Sequence, residues 1–342
     1  MSCALLLASV VCITTKSVFA QPAAEVDPAV LEEVTASVDR SLAYLAKHQR
    51  ADGSWDGNNA PNALAMLAFM GRGHIPGRGK YRDVLRKVKQ YTLARQNDDG
   101  LFVPERNAGS GPMYQQALTT LAVAEMYGVD PDDDLEEALR DAVQLIVNSQ
   151  SHNGGWRYQP RPGDSDLSVT VMQIVALRAA NNAAIAVPEE TIEDAVTYVR
   201  SCARQNGGFG YQGPSRTPPM SAAGVVSLQL LGHYDDPLLE PTLDYLSNVP
   251  VQWGNSGGVN WYYYFHYYAM QANYQAGGVY WDDWHPRVRK MLLREQHDDG
   301  SWSVPPGTSE GEGTVGVNRV YYTSMATLIL EVYMHYLPAY QR

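Results

Sequence analysis

A glycine followed two residues later by an aromatic or large apolar side chain recurs six times, at Gly53/Trp55, Gly100/Phe102, Gly154/Trp156, Gly207/Phe209, Gly257/Val259 and Gly300/Trp302. The steps between them run from 43 to 54 residues. Four of the six turns carry a glutamine four residues before the glycine: Gln49, Gln96, Gln150 and Gln296. Gln205 and Gln252 are displaced variants. Self-similarity at such a period marks a repeat architecture, in which each unit buries its apolar face on its neighbours.

The two sides of each turn differ in a regular way. Before it runs a charged amphipathic stretch, such as 133–149 or 286–295, with acidic residues or proline near the start, where the helix dipole and the free N–H groups favour them. After it runs a stretch almost free of charge: 60–71, 113–124, 167–177, 220–232, 262–275 and 320–330. A helix without a polar face is buried all round. These stretches, at roughly 11 to 14 residues, are too short for a membrane span of about 20. Six half-exposed helices alternating with six hidden ones predict an all-α fold: an α/α toroid of six helical hairpins, with an inner ring of apolar helices inside an outer ring of amphipathic ones. An open helical solenoid is the other arrangement that six pairs build.

The start of the chain reads as a signal peptide over residues 1–20, followed by a single toroid domain over 21–342. Residues 3–15 are apolar over the length of a signal core, and Ser17-Val18-Phe19-Ala20 supplies small residues before Gln21. Export to the periplasm or the exterior is the expectation. Val11 is too bulky to precede a lipoprotein cleavage at Cys12. Removal of Cys3 and Cys12 leaves Cys202 alone, so no internal disulfide forms and stability rests on packing. The charge balance, 26 lysines and arginines against 37 aspartates and glutamates, offers no basic face for nucleic acid.

The glutamine–glycine–tryptophan turn resembles the QW motif of squalene-hopene cyclases and terpenoid cyclases, a superfamily shared with the β subunits of protein prenyltransferases. The resemblance covers nearly all of the chain after residue 20. It implies that the turn is structural, its aromatic stacked on the glutamine and tying outer to inner helices. Squalene-hopene cyclases protonate their substrate with an Asp-x-Asp-Asp motif that opens an inner helix. Here Asp164-Ser165-Asp166-Leu167 matches the first and third positions and has leucine at the fourth, so the resemblance names Asp164 and Asp166 as catalytic candidates. Their other reading is an N-cap on the helix that follows. The zinc positions of the prenyltransferases fall on Tyr262-Tyr263-Tyr264-Phe265-His266 and Val320-Tyr321-Tyr322-Thr323, which implies no metal site. No cofactor is expected.

In a toroid the N-terminal ends of the inner helices share one mouth, so polar residues just after each turn converge there. Tyr114, Tyr262, Tyr263, His266, Tyr267, Arg319, Tyr321 and Tyr322 are the ligand-binding candidates. The run Trp261 to Tyr268 is the most unusual in a chain with 22 tyrosines and 5 phenylalanines. Its rings either wall a cavity for an isoprenoid or another elongated apolar ligand, with π faces able to stabilise a cation, or plug the ring and bond one another. The expected partner is an apolar or isoprenoid small molecule, with peripheral membrane contact.

Two other classes use the same residues. A polysaccharide lyase would abstract a proton with His266 or Tyr322 and neutralise a uronate with Asn318 or Arg319. A non-catalytic interaction module would keep the scaffold and fill the hole. Cys202-Ala203-Arg204-Gln205 has the spacing of an internal thioester, but a lone cysteine reads first as a small buried apolar residue.

Overall fold

A computed structural model of the chain describes residues 27–104, 111–254, 259–308, 310 and 318–334. The expected signal segment 1–20 and the turn glycine Gly257 lie outside the described residues. Among those described are twelve α-helices and no sheet. The charge-free stretches fall on the even-numbered helices: α2 (Asn59–Gly71), α4 (Met113–Val129), α6 (Leu167–Asn182), α8 (Pro218–Leu230), α10 (Tyr262–Ala276) and α12 (Arg319–Glu331). The charged stretches form α1 (Pro28–Lys47), α3 (Arg82–Leu93), α5 (Asp133–Asn148), α7 (Glu189–Ser201), α9 (Leu239–Ser247) and α11 (Gly278–Glu295).

Each even helix packs on the next even helix, and α12 returns to pack on α2. The inner ring is therefore closed, and the open solenoid is excluded. Burial follows the charge pattern. Every residue of α2 except Ala60, and every residue of α10 except Tyr274, is buried. In α5, by contrast, Leu135, Ala138, Leu139, Ala142, Val143, Leu145 and Ile146 form one buried stripe, and Asp133, Asp134 and Glu136 occupy the first turn. Asp132 caps that helix by accepting from the Leu135 N–H at 2.9 Å.

The turns between outer and inner helices also join each hairpin to the next. The side-chain amide of Gln49 donates to the Gly53 carbonyl and to the Val84 carbonyl of α3, both at 2.9 Å. Gln96 does the same with Gly100 and Ala138, and Gln150 with Gly154 and Thr191. Gln296 reaches Gly300 and, across the chain ends, Ser37 of α1. The glutamine thus ties one turn to the following outer helix, rather than the outer helix to its own inner partner. The indole N–H of Trp55, Trp156 and Trp302 donates to the Leu45, Ile146 and Leu292 carbonyls near the end of the preceding outer helix, tying each turn to the helix before it.

Helix α11 departs from expectation. It begins at Gly278 and carries Pro286 in its interior rather than at its start. A proline there costs about 3 kcal/mol or more, and the burial of Trp281 and Trp284 in the preceding turns holds the segment helical against that cost. Cys202 is a buried apolar residue closing α7, and Gln205 is exposed.

Candidate functional site

The starts of the inner helices lie side by side around one opening. The Asn59 N–H at the start of α2 donates to Gln115 on α4, the Leu167 N–H at the start of α6 donates to the Tyr211 carbonyl before α8, and Asn318 before α12 donates to Asp56 before α2. Behind this opening is the lumen.

Four phenols meet there. Tyr264 and Tyr268 stand four residues apart on one face of α10, their ring centres 4.7 Å apart. The Tyr264 hydroxyl donates to the Ser168 carbonyl of α6 at 3.4 Å. Because α8 separates α6 from α10 in the ring, that bond crosses the lumen. Tyr114 on α4 pairs with the Ser168 hydroxyl, which itself donates to Asp166 at 2.6 Å. Asp166 accepts only, so the order is fixed as Tyr114 to Ser168 to Asp166. Tyr321 on α12 donates to Glu310 at 3.5 Å. Burial, first of all, raises the hydroxyl pKa of Tyr114, Tyr264, Tyr268 and Tyr321 above the ordinary 10, so all four are neutral donors. One helical turn below Tyr114, Ser168 and Tyr321 stand Leu118, Met172 and Met325, an apolar belt under the phenols.

Glu310 is the buried carboxyl of the mouth, 1% exposed. It accepts from the Tyr263 and Tyr264 N–H groups at 2.8 and 3.0 Å, which are free because they open α10. Burial pushes its pKa up to about 7, and the hydrogen bonds from the backbone at the start of α10 and from Tyr321 act in the opposite direction.

The structure distributes the expected site residues unevenly. Tyr114 and Tyr321 face the lumen, half-buried. Tyr262 and His266 face outward against α11: the Tyr262 hydroxyl meets the Met291 sulfur at 2.6 Å, and the His266 ring lies 6.0 Å from Trp284. Burial pushes the His266 pKa down to about 3, leaving it neutral. Tyr263 stacks on Tyr322 at 5.5 Å and donates to the Ser303 carbonyl, which places both between α10 and α12. Tyr267 packs edge-on against Tyr268. The Arg319 guanidinium turns to the Ser301 and Ser303 hydroxyls at 3.3 Å, and Asn318 caps α12. The lyase set His266, Tyr322, Asn318 and Arg319 is therefore not assembled.

Asp166 is fully buried as the N-cap of α6, accepting from the Val169 N–H at 2.9 Å, with Arg157 at 3.6 Å. Asp164 is exposed and pairs with the same arginine. Tyr264, Tyr268 and Glu310 are the lumen residues that sequence reasoning passed over. The two tyrosines lie in the same run as the nominated ones, and Glu310 lies in a loop with no periodicity. No group of three or more His, Cys, Asp or Glu that could hold a metal occurs among the described residues, and no described helix is long and apolar enough to cross a membrane.

A closed double ring of helices with its inner N-termini around one aromatic mouth defines an α/α-toroid protein. Residues 40–260 match the prenyltransferase alpha-alpha toroid domain, and the chain belongs to that family, within a superfamily like that of the terpenoid cyclases and prenyltransferases. The lanosterol synthase erg7A of Aspergillus fumigatus is 24% identical over 136 residues, 36% of this chain; the match covers 17% of that synthase. Among solved structures, the type II terpene cyclase MstE from Scytonema, as a variant in complex with geranylgeranyl dihydroxybenzoate, superposes with a TM-score of 0.62 at 14% identity, covering 90% of this chain and 99% of the other. The α-1,6-mannanase GH76A of Salegentibacter sp. HEL1_6, an inactive variant in complex with α-1,6-mannotriose, gives the same TM-score at 10% identity, covering 88% and 99%. At these identities the likeness is one of fold.

Proposed function

We propose that the protein is exported and holds an elongated apolar molecule of the isoprenoid class in its lumen. One observation carries this: phenols from α4, α10 and α12 converge at the mouth above the belt of Leu118, Met172 and Met325. Polar-tipped rings over an apolar shaft suit a ligand with a polar end and a hydrocarbon body. The Scytonema cyclase, which was captured with a geranylgeranyl compound, supports the ligand class. The apolar stretch 3–15 and the small residues before Gln21 support export.

Binding is favoured over olefin protonation by Asp166. That carboxyl accepts from a backbone N–H and a serine hydroxyl and faces Arg157, the arrangement of a helix cap. Asp164 has no side-chain approach of its own to the phenol cluster among the bonds described.

The test is titration of the full chain with geranylgeraniol, followed by intrinsic fluorescence and native mass spectrometry, with α-1,6-mannotriose as comparator. One geranylgeraniol per chain is expected, with no mannotriose bound. Uptake of mannotriose alone would replace the apolar ligand with a glycan, and a chain that takes up neither would be an interaction module.

A further inference from the structure

Glu310 is a buried carboxyl whose hydrogen-bond donors are all neutral: backbone N–H groups at the start of α10 and the Tyr321 phenol. No salt bridge reaches it among the described residues. An anion held in low dielectric without a cation is costly, and a cation brought to it recovers that cost. The surroundings suit such a cation. Tyr321 donates its proton toward the carboxylate, which makes its ring a more electron-rich face; the Tyr322 ring stands edge-on to it at 5.7 Å, and the Tyr264–Tyr268 pair is near enough to act on it electrostatically. The charged and titratable groups packed around Glu310 are Tyr262, Tyr263 and Tyr264 of α10 and Tyr321 and Tyr322 of α12. Asp166, with Arg157 beside it, acts on Tyr264 from the side of α6, and Glu295 and Arg294 act on Tyr262 from α11.

We propose that the lumen mouth binds an alkylammonium head, the cation lying over the Tyr321 ring with Glu310 as its counter-ion and the alkyl chain descending along Leu118, Met172 and Met325. This rests on the apolar-ligand reading above and sharpens it to a cationic amphiphile. Glu310 positions and polarises Tyr321, and the ring makes the contact.

Because only the ionised carboxyl serves as counter-ion, cation binding displaces its proton. With a pKa of about 7, about a tenth of Glu310 is ionised at pH 6 and about nine tenths at pH 8, so affinity for the cation rises about tenfold between them. The experiment titrates the full chain with dodecyltrimethylammonium and with dodecanol, both below their aggregation limits, by calorimetry at pH 6 and pH 8 in two buffers of different ionisation enthalpy. The ammonium compound binds about tenfold tighter at pH 8 and releases protons at pH 6, whereas dodecanol shows neither effect. Glu310→Gln abolishes the pH dependence and leaves dodecanol uptake in place. Tyr321→Leu weakens the ammonium compound about three- to thirtyfold more than it weakens dodecanol. Dodecanol entering while the ammonium compound does not, or a pH dependence that survives Glu310→Gln, overturns the cation site alone. If neither compound enters, the apolar-ligand reading falls with it.

Discussion

The Tyr264 hydroxyl on α10 and the Ser168 carbonyl oxygen on α6 are joined at 3.4 Å across the lumen, between helices that are not neighbours in the ring. Tyr264 therefore acts as a strut, and its ring and hydroxyl can be separated by mutation. Tyr264→Phe keeps the ring and loses one long hydrogen bond, so it lowers stability by about 1 kcal/mol or less. Tyr264→Ala removes a ring that is 8% exposed and costs about 3–5 kcal/mol. Urea unfolding of both variants measures the difference, and equal losses would mean that the ring is not packed in the lumen.

Gly300 holds φ at +88°, a conformation that side chains rarely adopt, and a Cβ there would collide with the Arg40 carbonyl oxygen of α1. It belongs to the turn that closes the ring, where Gln296 also bonds Ser37. Gly300→Ala strains the backbone and pushes the last turn off the first helix at once, so a loss of more than about 2 kcal/mol is expected. Gly79 is the control. It has a similar φ of +88° but nothing within 4 Å of an added Cβ, so its alanine variant loses less. Equal denaturation midpoints for the two variants would rule out the clash.

The ring was legible because its cause is local and repeated. A positive-φ glycine and a buried aromatic recur in five of the six turns, at Gly53/Trp55, Gly100/Phe102, Gly154/Trp156, Gly207/Phe209 and Gly300/Trp302, and charge-free stretches separate inner helices from outer ones. The site was legible only where a helix offers contrast. In α10 nearly every residue is buried, so periodicity cannot say which face meets the lumen and which meets α11; Tyr262 and His266 were nominated where Tyr264 and Tyr268 do the facing. Glu310 reaches the start of α10 over a separation of 46 residues from Tyr264, through a loop without any pattern, and only the folded chain brings the two together. Pro286 misled in the opposite way: a good start signal was overridden by the packing of two tryptophans.

Glu310 makes stability depend on pH in a definite direction. Its pKa rises from the ordinary 4.5 to about 7 on folding, so the folded chain holds a proton that the unfolded chain gives up. The contribution is fully present below about pH 4.5 and is lost as pH rises through 7, for a total of about 3 kcal/mol. Glu310→Gln should flatten this part of the profile, read as urea midpoints between pH 5 and pH 8. A parent whose stability rises steadily over that window, and rises equally in the variant, would remove Glu310 as the source.

Glu331 poses the same question at the opposite end of α12. Both of its carboxyl oxygens are buried without a hydrogen-bond partner, beside Gly71. Burial raises its pKa well above the ordinary 4.5, and Arg72 works against that rise. Ionising this group inside the fold is uphill, so stability falls as pH climbs above the ordinary carboxyl range. Glu331→Gln keeps the shape and cannot ionise. It should be more stable than the parent at pH 8, with the gap closing toward pH 5. Since Glu310 sits at the mouth and Glu331 at the far end of α12, with no shared partner among the bonds described, the two glutamine variants should act independently, and the double variant should show the sum of their effects within about 0.5 kcal/mol. A double variant far from that sum would mean that the two ends of α12 are electrostatically coupled.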